Sequence, residues 1–191
     1  MAATAYSAMD DNPVERQLAA LPELRHATAV YMFRKEGTVR NVVHAMKYHG
    51  NAELCLMMGR QMGLELLASG RFDDVDVLIP VPLHWLRKLW RGYNQSELLC
   101  RGIGEVLKVP VCTDAVVRHR YTRQQSLQQG HRRADNVADA FSLRRAERIA
   151  GKHVLLVDDV VTTGATIMAC ANAIAAAQGV SISVAAFSKA L

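Results

Sequence analysis

The sequence predicts an α/β protein with a mainly parallel sheet and helices on both of its faces. Helical patterns separate the apolar segments that are predicted as strands, which lie near residues 75–81, 109–117, 154–158 and 181–187. Residues Val154–Val157 are apolar throughout, as expected for a strand that is buried on both faces of a parallel sheet. The helix predicted from Ala165 to Gln178 consists mostly of Ala, Ile, Met and Cys, so it can pack closely on that sheet.

The chain has 191 residues, half of them apolar, and this fits one enzyme-sized domain. Residues 1–27 are predicted as a flexible arm or a short helix. Residues 28–191 are predicted as a single domain, with a helical hood or entry segment over 28–72 and the core over 73–191. Apolar residues at helical spacing predict helices over residues 38–46 and 52–68.

Composition narrows the class of protein. No window approaches the roughly 18 consecutive apolar residues of a membrane helix, so no membrane association is expected. The N-terminus lacks a basic start followed by an apolar stretch, which argues against a secretory signal and predicts a cytoplasmic protein. The four cysteines form no C-x-x-C pair, so they are expected to be reduced thiols.

The most informative segment joins a buried strand, two carboxylates and a hydroxyl-rich turn. After Val154–Val157 we expect the chain to leave the sheet at Asp158, at the edge where open α/β sheets bind ligands. From Thr162 to Thr166 the chain offers hydroxyls, a glycine and the unpaired N–H groups of a helix start, which suit a phosphate. Asp158 and Asp159 would repel a phosphate, so we expect them to face sugar hydroxyls, directly or through Mg²⁺.

Other classes of protein explain this segment less well. A P-loop ATPase would need Gly-x-x-x-x-Gly-Lys-Ser/Thr, but the pair Gly151-Lys152 is followed by His153 and has Ala146 in place of the first glycine. A phosphoacceptor receiver domain clusters carboxylates at strand ends without needing the threonine-rich turn. An ordinary strand with an exposed Asp-Asp end and a capping turn would be favoured for the acidic pair alone, but the attached Thr-Thr-Gly-Ala-Thr favours the ligand site.

The segment resembles the phosphoribosyl pyrophosphate (PRPP) signature of the type I phosphoribosyltransferases and matches it at every position. The resemblance implies that Asp158 and Asp159 contact the ribose hydroxyls, serve the catalytic step and hold Mg²⁺. It also implies that the 5-phosphate of PRPP is bound by Val161, Thr162, Thr163, Gly164, Ala165 and Thr166. In the members that use 6-oxopurines a carboxylate of this turn acts as general base, and Thr162 at that position argues against such acceptors.

A second anion site is predicted after the first strand. The loop over residues 83–92 contains three basic residues, Arg87, Lys88 and Arg91. It leads into Asn94, a predicted N-cap with Glu97 as capping-box partner, and the helix should run to about Leu107. In the type I phosphoribosyltransferases the equivalent loop binds pyrophosphate; the alternative is that these are solvent-facing charges.

The net charge of +5 is concentrated in one stretch that contains Arg118, His119, Arg120, Arg123, His131, Arg132 and Arg133. Such a run is typical of a nucleic-acid-binding surface or of a loop that closes over a polyanionic ligand. Beside the PRPP signature we favour the closing loop, a lid formed by Arg118, Arg120, Arg123 and Gln125.

Further segments resemble the ComF/GntX branch of the family, which is associated with competence and DNA uptake. They are Pro80–Leu83, Arg91–Gln95, a group of residues from Thr122 to Phe141, and a stretch with Tyr31, Lys47, Tyr48 and Gly50. The resemblance runs from about Tyr31 to Phe187. ComF proteins commonly begin with a four-cysteine zinc finger, whereas here no cysteine precedes Cys55, so roles of that finger are not carried over to this chain.

The resemblance implies a protein that binds PRPP and Mg²⁺ and transfers phosphoribose to an unidentified acceptor, with release of pyrophosphate. The alternative is a non-catalytic accessory protein of DNA uptake that binds PRPP. Such a protein could also bind single-stranded DNA along the basic stretch from Arg118 to Arg133. Type I enzymes often form dimers, and a homodimer is compatible with the resemblance, although no sequence feature specifies an interface.

Overall fold

The computed structural model describes residues 1, 3–34, 36–48, 51–119 and 140–190. The helices are α1 (Pro13–Leu18), α2 (Thr38–Tyr48), α3 (Ala52–Ser69), α4 (Trp85–Arg91), α5 (Gln95–Leu107) and α6 (Ala165–Ala175). The strands are β1 (Leu24–Phe33), β2 (Val77–Pro80), β3 (Val116–Arg118), β4 (Phe141–Leu143), β5 (His153–Val161) and β6 (Ser181–Ala190). Within the described part of the chain, no helix has the length and apolar character that crossing a membrane requires.

The main sheet has four parallel strands in the order β1-β6-β5-β2. Side chains of β5 alternate between two hydrophobic clusters: Val154 and Leu156 join one, whereas Leu155 and Val157 join the other. The first cluster also contains buried residues of α1 and α6, and the second contains those of α2, α3 and α5. The predicted parallel sheet with helices on both faces is therefore confirmed.

Close contact between α3 and α5 positions one side of the site. A Cβ atom added at Gly59 would lie 2.4 Å from the Leu99 carbonyl oxygen, and one added at Gly102 would lie 2.3 Å from the Leu56 carbonyl oxygen. Glycine at these two positions lets the helix backbones approach each other, and α5 in turn carries side chains into the cleft described below.

The structure of the first 33 residues differs in part from the predicted one. Residues 13–18 form the short helix α1, whose Val14 and Leu18 side chains are fully buried, so this segment is part of the core. Strand β1 then pairs with β6 and begins before residue 28, where the hood was predicted to start. The segment 28–72 is therefore not helical throughout, because its first residues complete one edge of the sheet.

The predicted strand over residues 109–117 is also divided. Val111 forms a single parallel bridge with Leu78, and the chain then bends before β3 pairs with β4 in a separate antiparallel ribbon. Pro110 has no N–H to donate, so only its carbonyl group can pair with β2. The Pro110 carbonyl oxygen accepts from the Leu78 N–H at 2.9 Å. Helix α6 ends at Ala175, three residues before the expected Gln178.

Candidate functional site

The two carboxylates lie inside β5 and not after its end. The prediction that the chain leaves the sheet at Asp158 was wrong, because β5 continues to Val161. Strand β6 is long enough to pair with this extension: Val160 lies opposite Ser188, and Val161 lies opposite Lys189. The sheet therefore holds the backbone of both aspartates, so their positions depend less on the turn that follows.

The Asp158 carboxylate is held by two donors that both reach its Oδ1 atom. The Ser96 hydroxyl at the start of α5 donates at 3.1 Å, and the backbone N–H of Asp159 donates at 2.8 Å. Burial, and then the neighbouring Asp159 carboxylate, raise the pKa of Asp158 well above its ordinary value. Two adjacent carboxylates in a poorly hydrated site favour a bound cation, and oxygen ligands are those that Mg²⁺ prefers.

Lys47 of α2 supplies a positive charge to this pair. Its Nζ atom lies 3.0 Å from Asp159 Oδ2, and both side chains are largely buried. The Tyr93 hydroxyl donates a hydrogen bond to the Met46 carbonyl oxygen at 2.8 Å, which holds the last turn of α2 near the start of α5. Sequence reasoning did not assign Lys47 to the site; its match to the ComF stretch was the available signal.

The predicted loop over residues 83–92 contains helix α4. His84 caps its start, since its Nδ1 atom accepts from the Leu86 N–H at 3.3 Å, and Gly92 ends it with a φ of 82°. Asn94 is the N-cap of α5, as predicted, and accepts from the Ser96 N–H at 3.1 Å. Glu97 does not complete a capping box, because its carboxylate pairs with Arg101 at 2.8 Å and with Lys88 at 3.5 Å.

Of the three basic residues predicted to bind pyrophosphate, Arg87 and Arg91 line the cleft. Lys88 lies outside it, with more than half of its side chain exposed. The Arg91 Nη1 atom donates to Gln95 Oε1 at 3.1 Å. Arg91 Nε and Gln95 Nε2 are buried donors that have no hydrogen-bond partner among the residues that the structure describes. Buried donors are nearly always satisfied, so these two suit the oxygens of an anionic ligand.

Arg118 is the member of the predicted lid that the structure describes. It lines the same cleft, with its Cζ atom 5.2 Å from the centre of the Phe141 ring. Burial, and then the charge of Arg87, lower the pKa of Arg118. An anion between these guanidinium groups would reduce their repulsion. Arg120, Arg123 and Gln125 lie outside the described residues.

The cleft has a volume of about 310 Å³ and is formed by α2, α4, α5 and the carboxyl ends of the central strands. Its polar lining consists of Lys47, Arg87, Arg91, Asn94, Gln95, Ser96, Arg118, Asp158, Asp159, Thr162 and Thr166. Its apolar lining includes Phe33, Val43, Val81, Leu83 and Val160. One cleft thus holds a carboxylate pair, a group of cations and a short apolar wall.

The predicted phosphate turn lies partly in the cleft. Thr162 and Thr166 line it, whereas the side chain of Val161 is buried as the last residue of β5. Thr163 and Ala165 are exposed. Gly164 has a φ of 77° and precedes α6, whose first N–H groups lie at this turn.

The cysteines and the other potential metal ligands of the described residues form no cluster. Cys55, Cys100, Cys112 and Cys170 are all buried and free. Among the residues that the structure describes, no group of three or more His, Cys, Asp or Glu side chains is arranged to hold a metal ion.

Comparison with known proteins shows which family the chain belongs to. Residues 94–190, about half of the chain, match the family described as phosphoribosyl transferase domain. The matched segment contains α5, β5, the acidic pair, the turn and β6. A solved structure of glutamine phosphoribosylpyrophosphate amidotransferase from B. subtilis aligns with a TM-score of 0.47 and 18% identity, over 74% of this chain and 30% of that one.

Two curated relatives carry names from DNA uptake and use. The DNA utilization protein YhgH of Shigella flexneri is 36% identical over 130 residues, which is 66% of this chain and 56% of the relative. Competence protein F of Haemophilus influenzae is 38% identical over 93 residues, which is 48% of this chain and 41% of the relative. The aligned part thus spans about half the length of these relatives. Together with the family match, the similarity shows that the chain belongs to the phosphoribosyl transferase domain family and is of the ComF type.

Proposed function

We propose that this protein binds PRPP together with Mg²⁺ in the cleft and transfers its phosphoribosyl group to an acceptor, in the cytoplasm. The observation that carries the proposal is that one cleft joins Asp158 and Asp159 to Arg87, Arg91 and Arg118. PRPP combines a sugar with hydroxyl groups and a polyanionic leaving group, so it needs both kinds of side chain in one site.

The carboxylates would serve the sugar. Asp158 and Asp159 would orient the ribose hydroxyls and stabilise the positive charge that develops on the ring as the bond from C1 to pyrophosphate breaks. The Ser96 hydroxyl and the Asp159 N–H fix the Asp158 carboxylate before the ligand arrives, so less reorganisation is needed. Mg²⁺, held by these carboxylates and by oxygens of PRPP, would supply positive charge near the leaving group.

The basic side chains would bind the leaving group. Arg91 Nε and Gln95 Nε2 offer buried donors that a pyrophosphate oxygen could satisfy, and Arg87 and Arg118 add charge to the same cleft. The turn at Thr162–Thr166 would hold the 5-phosphate, so that binding energy remote from C1 positions the reacting carbon. Arg118 and the predicted lid residues Arg120, Arg123 and Gln125 would exclude water from the reaction.

The proposal is tested by calorimetric titration of PRPP with and without Mg²⁺. We expect micromolar, Mg²⁺-dependent binding by the wild type, and loss of that binding in the Asp158→Asn, Asp159→Asn variant. The variant Lys88→Met is the matched control, because Lys88 lies outside the cleft, and it should bind as the wild type does. Binding that both aspartate substitutions leave unchanged would remove the basis of the proposal. If the expected binding is found, release of pyrophosphate on addition of candidate nucleobases or amines would identify the acceptor.

A second candidate function is that of an accessory protein that binds single-stranded DNA, as the names of the relatives suggest. The observation that favours it is the surface of α4, where Trp85, Leu89 and Trp90 are 64%, 77% and 73% exposed. The helix also carries three cations and no carboxylate. The Trp90 ring lies 5.9 Å from that of Tyr48, next to the cleft. Exposed aromatic rings among cations suit stacked bases and backbone phosphates.

Binding of a fluorescent oligo-deoxythymidine tests this second function. The variants Trp85→Ala and Trp90→Ala should weaken binding roughly tenfold each, since loss of one stacked base costs about 1–3 kcal/mol. Affinity should also fall as salt concentration rises. Leu64→Ala is the control, because Leu64 is an exposed apolar residue on α3. Equal affinity of the two tryptophan variants and the wild type would exclude α4 as the DNA surface.

A further inference from the structure

The Gln17 side chain connects the N-terminal helix α1 to the phosphate turn. Its Nε2 atom donates to the Thr162 carbonyl oxygen at 2.7 Å, and its Oε1 atom accepts from Lys189 Nζ. We infer that Gln17 is a positioning residue, which orients the turn so that its N–H groups can receive the 5-phosphate. This inference rests on the proposed binding of PRPP and adds a residue that lies outside the family signature.

Helix α1 provides a firm support for this contact. Asn12 caps the helix: its Oδ1 atom accepts from the Val14 N–H at 2.9 Å, while its Nδ2 atom donates to the Ala27 carbonyl oxygen of β1 at 2.7 Å. The Asn12 side chain is fully buried. The adjacent Leu18 side chain is fully buried in the first hydrophobic cluster. Gln17 therefore extends from a helix that is fixed to the sheet at two points.

The contact with a carbonyl group determines the direction of the next N–H group. In a trans peptide the C=O and N–H bonds point in opposite directions. Because Gln17 holds the Thr162 carbonyl oxygen on the side of α1, the Thr163 N–H is directed away from α1. A turn that binds phosphate needs its N–H groups to converge and its carbonyl oxygens to face elsewhere. One side-chain hydrogen bond thus favours the binding orientation of this peptide.

Gly164 shows how closely α1 approaches the turn. A Cβ atom added at Gly164 would lie 3.2 Å from Gln17 Nε2 and 3.2 Å from Leu18 Cδ2. The φ of 77° at this residue also disfavours a side chain. The φ value favours glycine here, and the absence of a side chain leaves room for Gln17 and Leu18 of α1 beside the turn.

Lys189 explains why an amide is suited to position 17. Lys189 lies opposite Val161 in the sheet, and burial lowers its pKa. Its ammonium group needs an acceptor, whereas the Thr162 carbonyl oxygen needs a donor. A glutamine side chain provides both through its two terminal atoms, but glutamate provides only the acceptor and methionine provides neither.

Two substitutions of Gln17 separate positioning from packing. Gln17→Met keeps the length of the side chain and its contact with Gly164 but removes both hydrogen bonds. Gln17→Glu keeps the acceptor for Lys189 and removes the donor to Thr162. The control is Arg16→Ala on the same helix, since Arg16 is exposed and pairs with Asp11 at 3.0 Å. Titration calorimetry with Mg²⁺-PRPP and with ribose 5-phosphate, amide hydrogen exchange and the melting temperature are measured for each protein.

We expect both Gln17 variants to bind PRPP and ribose 5-phosphate roughly tenfold more weakly, while Arg16→Ala binds as the wild type does. Amide exchange should rise at residues 162–165 and remain unchanged in α1. Wild-type affinity in both variants would overturn the inference, as would faster exchange throughout α1, because that result would assign the effect to loss of helix docking. The wild type distinguishes the two failures. If the wild type binds no PRPP, the proposed function and this inference both fail. If the wild type and both Gln17 variants bind PRPP equally well, only this inference fails.

Discussion

The Lys47 ammonium lies 3.0 Å from the Asp159 carboxylate, and the contact joins residues that are more than one hundred positions apart in the chain. Lys47 belongs to the last turn of α2, whereas Asp159 lies in the central strand β5. The ion pair offsets part of the negative charge that two adjacent carboxylates place in the cleft.

Loss of this ion pair should destabilise the protein and raise the pKa of Asp158 further. In Lys47→Met, the Asp159 carboxylate loses its ion-pair partner in a site that is largely buried, which should cost about 2 kcal/mol in the free energy of unfolding. The Lys47 charge lowers the pKa of Asp158, so that pKa should rise further in the variant. Urea unfolding and NMR titration of the carboxyl groups measure the two effects. Lys88→Met, which removes an exposed lysine, should change neither quantity, and a similar response of both variants would contradict this account.

The pKa of Asp158 predicts a dependence of stability on pH. Burial and the Asp159 charge raise this pKa to about 7 from the ordinary value of 3.8 for an aspartate. Between these values the folded protein binds one proton more than the unfolded chain, so this group lowers stability as pH rises from about 4 to about 7.

The variant Asp158→Asn should lose that dependence. Both hydrogen bonds to Asp158 reach Oδ1, which asparagine retains, so the fold should persist. The variant should therefore gain stability relative to the wild type as pH increases from 5 to 8, measured by urea unfolding at each pH. A constant difference between the two proteins over that range would show that Asp158 ionises normally.

Removal of Arg91 should weaken anion binding with little effect on stability. Its Nε atom is buried and has no hydrogen-bond partner in the described part of the chain, and this unfavourable burial offsets the loss of its other contacts. Arg91→Met should therefore change the free energy of unfolding by less than about 1 kcal/mol and weaken pyrophosphate binding at least tenfold. Calorimetry with Mg²⁺-pyrophosphate measures the affinity. The matched control is Arg101→Met, because Arg101 lies on the exposed side of α5 and pairs with Glu97. Equal loss of affinity in the two variants would indicate a general charge effect.

Alanine at the crossing of α3 and α5 should destabilise the fold. In Gly59→Ala the new Cβ atom would meet the Leu99 carbonyl oxygen, and the helices would have to separate, at a cost of about 3 kcal/mol. Separation of the helices would also displace Ser96 from Asp158, so the pKa of Asp158 should change. Thermal unfolding measures the stability. Leu64→Ala on the exposed side of α3 should cost much less, and equal melting temperatures of the two variants would contradict the proposed close packing.

Several elements could be predicted because their causes are local in the sequence. Apolar residues of β5 and β6 identified two strands of the parallel sheet, and Asn94 identified the start of α5. Helices α2 and α3 followed from their periodic apolar residues. Strand β1 was missed, although residues 27–33 form a short apolar run of the kind that buried strands show. Its pairing with β6, at the far end of the chain, is a contact that the sequence does not record.

The sequence by itself determined the fold class, the acidic pair, the turn that follows it and the resemblance to the phosphoribosyltransferases, because these depend on residues that are neighbours along the chain. Only the tertiary structure placed Lys47 against Asp159, Ser96 against Asp158 and Gln17 against Thr162. It also placed Arg91 in the cleft and Lys88 outside it, although the two residues belong to the same short helix. The physical reason is that charge, burial and hydrogen bonding act over a few ångströms in space, and chain folding alone determines which distant residues come within that distance.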